Sequence, residues 1–209
     1  MKSWSMALLM ITAMGSVMAQ ENSSAPASKY QAGIHYQIIN PAWETDQDEP
    51  VVYEFFSYMC PGCFGFEPVM NELKSALNEG QKIVRVPVAF YPQWEPHVKT
   101  FFALQAMGKR EQVHQSLFNA IHQQKKPLRD LQAIGQWLAA AHGIDQQVFL
   151  QQANSFQVDT QIRKARQMMT AMGVSRIPAL VVNGQYKPNF QQVGEANEII
   201  DLTVELSMK

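Results

Sequence analysis

Between residues 51 and 90 the apolar positions fall into two short runs separated by a helical period. Val51-Val-Tyr-Glu-Phe-Phe56 is β-branched and aromatic, lies between Pro50 and Ser57, and predicts a buried strand. Ile83–Phe90 (IVRVPVAF) predicts a second strand, with Pro87 marking an irregularity or an edge. Between them Phe66, Val69, Met70, Leu73 and Leu77 recur at three- and four-residue steps until Asn78-Glu-Gly80, so a helix opens at Cys60-Pro61-Gly62-Cys63. From 95 to 172 no convincing strand occurs. Val98, Phe101 and Phe102, then Val113, Leu117 and Ile121, then Leu131, Ile134 and Leu138, then Ile162, Ala165 and Met169 repeat at helical steps, with breaks at Gly108, Pro127 and Gly143. Ala179–Val182, Asn183-Gly184 and Gln185–Lys187 predict a hairpin, because Asn-Gly supplies the positive φ angles of a two-residue turn. Glu195–Leu206 predicts an amphipathic helix, and His35–Asn40 a short edge strand.

The order is strand, helix, strand, helical block, hairpin, helix. A crossover connection needs only about a dozen residues or a little more, and this one is far longer. The pattern therefore predicts an α/β unit, residues 33–94 and 173–209, interrupted by an all-helical insertion over 95–172.

Composition narrows the reading. A 209-residue chain that is 46% hydrophobic and 17% charged can bury a substantial core and is neither disordered nor a disulfide-dense miniature. Its net charge of −1 advertises neither nucleic acid nor an anionic membrane as a partner. The amino terminus stands apart: Lys2, the apolar run 6–18 and Val17-Met18-Ala19 have the layout of a secretory signal cleaved after residue 19. The run is shorter than the roughly 20 residues that span a bilayer, which disfavours an uncleaved anchor, and no later segment is long and apolar enough to insert. Residues 20–32 (QENSSAPASKYQA) are polar and Ser/Ala-rich and predict a flexible lead-in, and Asp46–Pro50 predicts a charged turn.

Export changes the meaning of the two cysteines, Cys60 and Cys63, because a disulfide persists outside the reducing cytosol. A four-residue loop is a poor staple: the loop-entropy relation credits it with roughly 2 kcal/mol. The strand-to-helix junction offers more. Pro61 suits the first helical position, which places Cys60 at the N-cap among unpaired amides and the positive end of the helix dipole, where a thiolate is favoured. Cys63 lies one turn on, on the same face, and can resolve a mixed disulfide formed at Cys60. Zinc needs four ligands and the chain has no second cysteine pair or closely spaced histidines; Phe64 after Cys63 removes c-type haem attachment. No metal or organic cofactor is implied. An inert structural bridge is the remaining alternative to redox activity.

Ile177-Pro178 stands before the last strand pair, where a proline is tolerated and a cis bond is one of two outcomes. Glu54, mid-strand, either faces solvent or lies partly buried under the cysteines as a proton acceptor. Phe56, Tyr58, Met59, Phe64 and Met172 are candidates for an apolar surface around the cysteines or for the core. The histidines show no ligand spacing and read as surface or packing residues, as the tryptophans read as packing.

Val52-Tyr-Glu-Phe-Phe-Ser-Tyr-Met-Cys60-Pro-Gly-Cys63, followed by Gly173-Val-Ser-Arg-Ile-Pro178-Ala-Leu-Val-Val-Asn-Gly184, resembles the DsbA family of bacterial periplasmic thiol:disulfide oxidants over roughly residues 33–206. The resemblance implies a thioredoxin-like fold with a helical insertion, Cys60 as nucleophile, Cys63 as resolving thiol, Pro178 as a cis-proline facing their disulfide, and Glu54 as the acid beneath it. It implies a client site of Pro61, Gly62, Ile177, Tyr58, Met59 and Phe64, where the backbone beside Pro178 pairs with an extended peptide. Its implied partners are reduced exported proteins and a membrane reoxidant of the DsbB type, in the periplasm. Two positions depart from the family: Gly62 stands where histidine is usual, removing a donor that favours the thiolate, and Ile177 stands where valine is more frequent and looks similar to reductive thioredoxins. Both shifts predict a less oxidising pair and keep isomerase or reductase activity, or a non-catalytic peptide-binding module, as alternatives.

Overall fold

The computed structural model describes residues 28–45 and 49–209. The expected signal segment 1–19, most of the expected lead-in and part of the turn at 46–50 lie outside the described residues. Five strands form one sheet: β1 (Tyr36–Ile38), β2 (Val51–Phe56), β3 (Lys82–Pro87), β4 (Ala179–Val182) and β5 (Tyr186–Pro188), in the order β1-β5-β4-β2-β3. Only β2 and β3 are parallel, joined by the crossover helix α1 (Pro61–Ala76); the other pairs are antiparallel. β2 is flanked on both edges and covered on both faces, which explains why its six residues are all buried and its sequence is a nearly continuous apolar run.

Side chains alternate across β2 and divide the core in two. Val51, Tyr53 and Phe55 face a cluster built with the insertion, and Val52 faces one built from Met70 and Leu73 of α1 and Ile199, Leu202 and Leu206 of the closing helix α8 (Ala196–Ser207). The insertion is five helices: α2 (Glu95–Ala106), α3 (Arg110–His122), α4 (Leu131–His142), α5 (Gln146–Ala153) and α6 (Phe156–Ala171). α2 runs through its centre, with Phe101, Ala103 and Leu104 fully buried. Gly143, at a positive φ of 64°, ends α4 where the sequence places a break. The break between α5 and α6 carries neither Gly nor Pro; Ser155 makes it by capping α6 through the Val158 amide. The short helix α7 (Phe190–Val193) fills the step from β5 to α8.

The hairpin turn has Asn183 at φ 51° and Gly184 at φ 66°, as Asn-Gly predicts, but β5 resumes at Tyr186, leaving three residues in the connection. The flexible lead-in ends earlier than expected. Tyr30 is buried in the α8-side core, its hydroxyl donates to the Glu198 carbonyl at 3.1 Å, and Ala32 bridges to Tyr36. One aromatic ring therefore anchors a stretch whose composition reads as unstructured.

Candidate active site

The end of β2 delivers the chain to α1 in four residues. Cys60 caps the helix with an extended backbone (φ −92°, ψ 113°), and its sulfur accepts from the Cys63 amide at 3.2 Å, so the N-cap position expected from Pro61 at N1 is the one observed. The two residues differ in access: Cys60 is 9% exposed and Cys63 is fully buried. They differ in protonation as well. The hydrogen bond from the Cys63 thiol, helped by the amides of Cys63 and Gly62, lowers the Cys60 pKa against the opposing effect of burial. The same hydrogen bond and burial raise that of Cys63. One proton is thus held on the inner sulfur while the outer one carries the charge.

Across from them the Ile177–Pro178 bond is cis. The Ile177 carbonyl lies 3.9 Å from Cys60 Sγ, and a Cβ on Gly62 would stand 3.5 Å from Pro178 Cδ and 3.7 Å from Cys60 Sγ. Gly62 therefore sits between sulfur and proline with room for a side chain in ordinary contact, and the lack of one leaves the thiolate with the Cys63 thiol and the backbone amides of Gly62 and Cys63 as its donors. Pro61 and Gly62 are exposed, and Met59, Phe64, Ile177 and Pro178 half-buried, so these six expected residues are all open to solvent, with Gly62 and Ile177 placed against the sulfur. Tyr58 is not among them. It is 1% exposed with its hydroxyl 2.8 Å from His114 Nδ1, and Phe56 and Met172 are equally enclosed, so these three belong to the core because the insertion packs directly on the segment before Cys60.

Glu54 is fully buried, which overturns the solvent-facing alternative. Arg85, its register partner on β3, brings Nε to 3.3 Å from Glu54 Oε2 in a geometry too oblique for a hydrogen bond, leaving both carboxylate oxygens without one. Burial pushes Glu54 up to about 7, against the attraction of Arg85 and with the repulsion of Glu67. It lies close enough for its charge to raise the Cys63 pKa. Arg85 forks onto Glu67 of α1 at 2.7 and 3.2 Å, and Glu67 also meets His114 Nε2 at 3.2 Å; Arg85 and His114 are in contact too. Burial acts to raise Glu67, but the bonds from His114 and Arg85 outweigh it and hold it below its usual range.

This chain of Glu54, Arg85, Glu67, His114 and Tyr58 joins the insertion to the cysteine-bearing segment, and its three middle members, Arg85, Glu67 and His114, are the part that sequence reading missed. A signal existed: two ionisable residues, Glu54 and Arg85, at the middle of two apolar strands have to find each other when those strands pair. His114 carried none, nor did His122, whose Nε2 lies 2.8 Å from the Tyr58 carbonyl while its ring stacks on Phe64 at 5.1 Å and 13°.

A mixed sheet with one parallel crossover, a CxxC pair at the helix N-terminus and a cis-proline opposite it define a thioredoxin-fold dithiol protein. The thioredoxin family model matches residues 46–202. Curated relatives include the thiol:disulfide interchange protein DsbA of Pseudomonas aeruginosa, 32% identical over 93% of this chain and 92% of its own length. That of Azotobacter vinelandii is 38% identical over 68% and 66%. The crystal structure of Pseudomonas aeruginosa DsbA superposes with a TM-score of 0.80 over 87% of this chain and 95% of its own. The chain belongs to the DsbA family of thiol:disulfide interchange proteins, and it is a thiol:disulfide oxidoreductase.

Proposed function

We propose that the chain works as a periplasmic dithiol oxidant, taking electrons from reduced exported proteins through Cys60. The observation that carries this reading is the asymmetry of the pair: an outer cysteine, 9% exposed and stabilised as a thiolate, beside a fully buried one that keeps its proton. In the oxidised form a client thiolate attacks Cys60 Sγ, the Cys60–Cys63 bond breaks, and Cys63 leaves with the electron pair and takes up a proton. A second client thiolate then attacks the client sulfur of the mixed disulfide and expels Cys60 as the thiolate. The client has lost two electrons and gained a disulfide; the protein holds a dithiol. A stabilised Cys60 thiolate makes Cys60 a good leaving group and favours the reduced protein, which drives the transfer forward.

Pro178, Ile177, Pro61, Gly62, Met59 and Phe64 form the client rim, with Glu54 as the buried acid that supplies the proton to Cys63. Resetting the pair requires an electron acceptor, and a quinone-linked membrane protein of the DsbB type has the matching chemistry. No described helix is long and apolar enough to cross a membrane, and the amino-terminal segment is read as an export signal that places the chain in the periplasm.

The deciding measurement is the reduction potential of the Cys60–Cys63 couple in graded glutathione buffers. A value above about −180 mV supports the oxidant; one near about −270 mV, the thioredoxin level, means that loss of histidine at Gly62 has turned the pair toward reduction or isomerisation. Cys63→Ala should trap clients as mixed disulfides on Cys60. A variant that traps none, while Cys60 still reacts with small alkylating agents, would overturn the mechanism.

A further inference from the structure

A cavity of about 250 Å³ adjoins Pro178 and is lined also by Ala179, Pro188 and Phe190. Two of its lining residues, Arg176 and Lys187, are cationic and none is acidic. Among the described residues neither cation makes an ion pair. Arg176 is exposed. Lys187 donates to the Gly173 carbonyl at 2.7 Å and reaches the Met172 carbonyl at 3.5 Å, so its ammonium is fixed at the rim by the two carbonyls just past the end of α6. On a chain with net charge −1, this is a local excess of positive charge around a cavity that Pro178 also lines.

The placement is set by the site. Ile177, whose carbonyl lies 3.9 Å from Cys60 Sγ, directly follows Arg176. An extended peptide advances about 3.3 Å per residue. With its cysteine on Cys60, the next one or two side chains along the Pro178 segment come alongside Arg176 and the cavity. We infer that Arg176 and Lys187 form a subsite selecting clients with a carboxylate one or two residues from the reactive cysteine. This rests on the client rim proposed above and adds to it the chemical class of the preferred client. Charges at a rim act chiefly on encounter rate and fade with salt, and one exposed pair is worth up to about fivefold in affinity.

The test uses matched seven-residue peptides, each with one cysteine and with Asp, Lys or Gln at the flanking positions, in two series with the charge on either side. The rate of thiolate attack on the oxidised full-length protein is divided by the rate on uncharged bis(2-hydroxyethyl) disulfide, which cancels the effect of the neighbour on the cysteine's own reactivity. At low salt the acidic peptide of at least one series should react about fivefold faster than its lysine twin. The preference should collapse at 0.5 M salt, and Arg176→Glu, which leaves Lys187 balanced by a carboxylate, should abolish it. Equal normalised rates for the Asp and Lys twins of both series, or a preference that Arg176→Glu leaves untouched, would overturn the inference. Serine-for-cysteine versions, titrated against the same protein, read the selection without redox chemistry. Tighter binding of the acidic version supports the subsite even where no peptide is oxidised, an outcome that would sink the oxidant reading alone; equal binding of acidic and basic versions counts against the subsite.

Discussion

Glu54 shows what one residue in the wrong solvent does. A carboxyl whose pKa is raised from 4.5 to about 7 is ionised in the unfolded chain and neutral in the folded one between those values. Folding therefore takes up a proton, and the stability linked to this group is fully present below pH 4.5 and declines as pH rises to about 7. A shift of that size corresponds to about 3 kcal/mol, an upper figure since Arg85 responds to any change at this site. Glu54→Gln should leave stability near pH 4 within about 1 kcal/mol of the parent and exceed it by up to about 3 kcal/mol at pH 8, measured by urea unfolding of the reduced protein. An advantage that does not grow with pH would show that Glu54 is ionised in the fold. The same variant removes the buried carboxyl whose charge acts on the resolving thiol and which is proposed to protonate it, so formation of mixed disulfides should slow by about tenfold or more. At this scale the sequence was legible only where residue type and spacing carry the chemistry. Cys60, Pro61 and Cys63 could be placed because capping rules are local, whereas the fate of Glu54 depended on Arg85, which is 31 positions away in the chain but opposite in the register.

At the scale of elements the hairpin has the narrowest tolerance. Gly184 combines a positive φ of 66° with a Cβ direction that runs 2.3 Å from the Trp43 carbonyl oxygen, which belongs to the segment carrying the cis Asn40–Pro41 bond. The Trp43 amide donates to the Gly184 carbonyl at 3.0 Å, so the approach is close on both sides. Gly184→Ala should destabilise the protein by at least about 2 kcal/mol through the combined clash and backbone strain, read as a shift of the urea midpoint at unchanged slope. A shift under about 0.5 kcal/mol would mean that the Trp43 segment moves aside freely. Asn-Gly announced this turn in the sequence, because positive φ is an intrinsic preference. That Trp43 would press against it was illegible, since no local pattern says which distant backbone arrives. The strands and insertion helices divide in the same way. Period 2 and period 3.6 survive in the sequence wherever one face is buried, but which helix touches the active-site segment is a property of packing, and so Tyr58 and Phe56 went to the core once α3 covered them.

Across the whole molecule, two buried groups tilt stability in opposite directions with pH. His97 on α2 is 1% exposed, and burial holds its ring down to about 4 against a pull from the Leu128 backbone. Between pH 6.5 and 4 the unfolded chain binds a proton at this residue that the fold refuses, so stability is lost as pH falls through that window. Glu54 loses stability as pH rises through a window that overlaps it, from 4.5 to about 7. Over the overlap the slopes of these two groups oppose, so each masks the other in the parent's stability although each alone is steep. The unfolding profile of the parent therefore conceals both groups, and a variant is needed to expose either. His97→Asn keeps a polar side chain of smaller volume and removes the titration, so its cavity cost is the same at every pH while the proton-linked cost disappears. Relative to the parent, the variant should gain up to about 3 kcal/mol between pH 7 and pH 4, whatever its offset at neutral pH. Urea unfolding of both proteins at half-unit pH steps measures that difference. A constant offset across the range would show that the fold takes up the proton at His97, and that the centre of the insertion, where α2 packs against α5 and α6, admits water at acid pH.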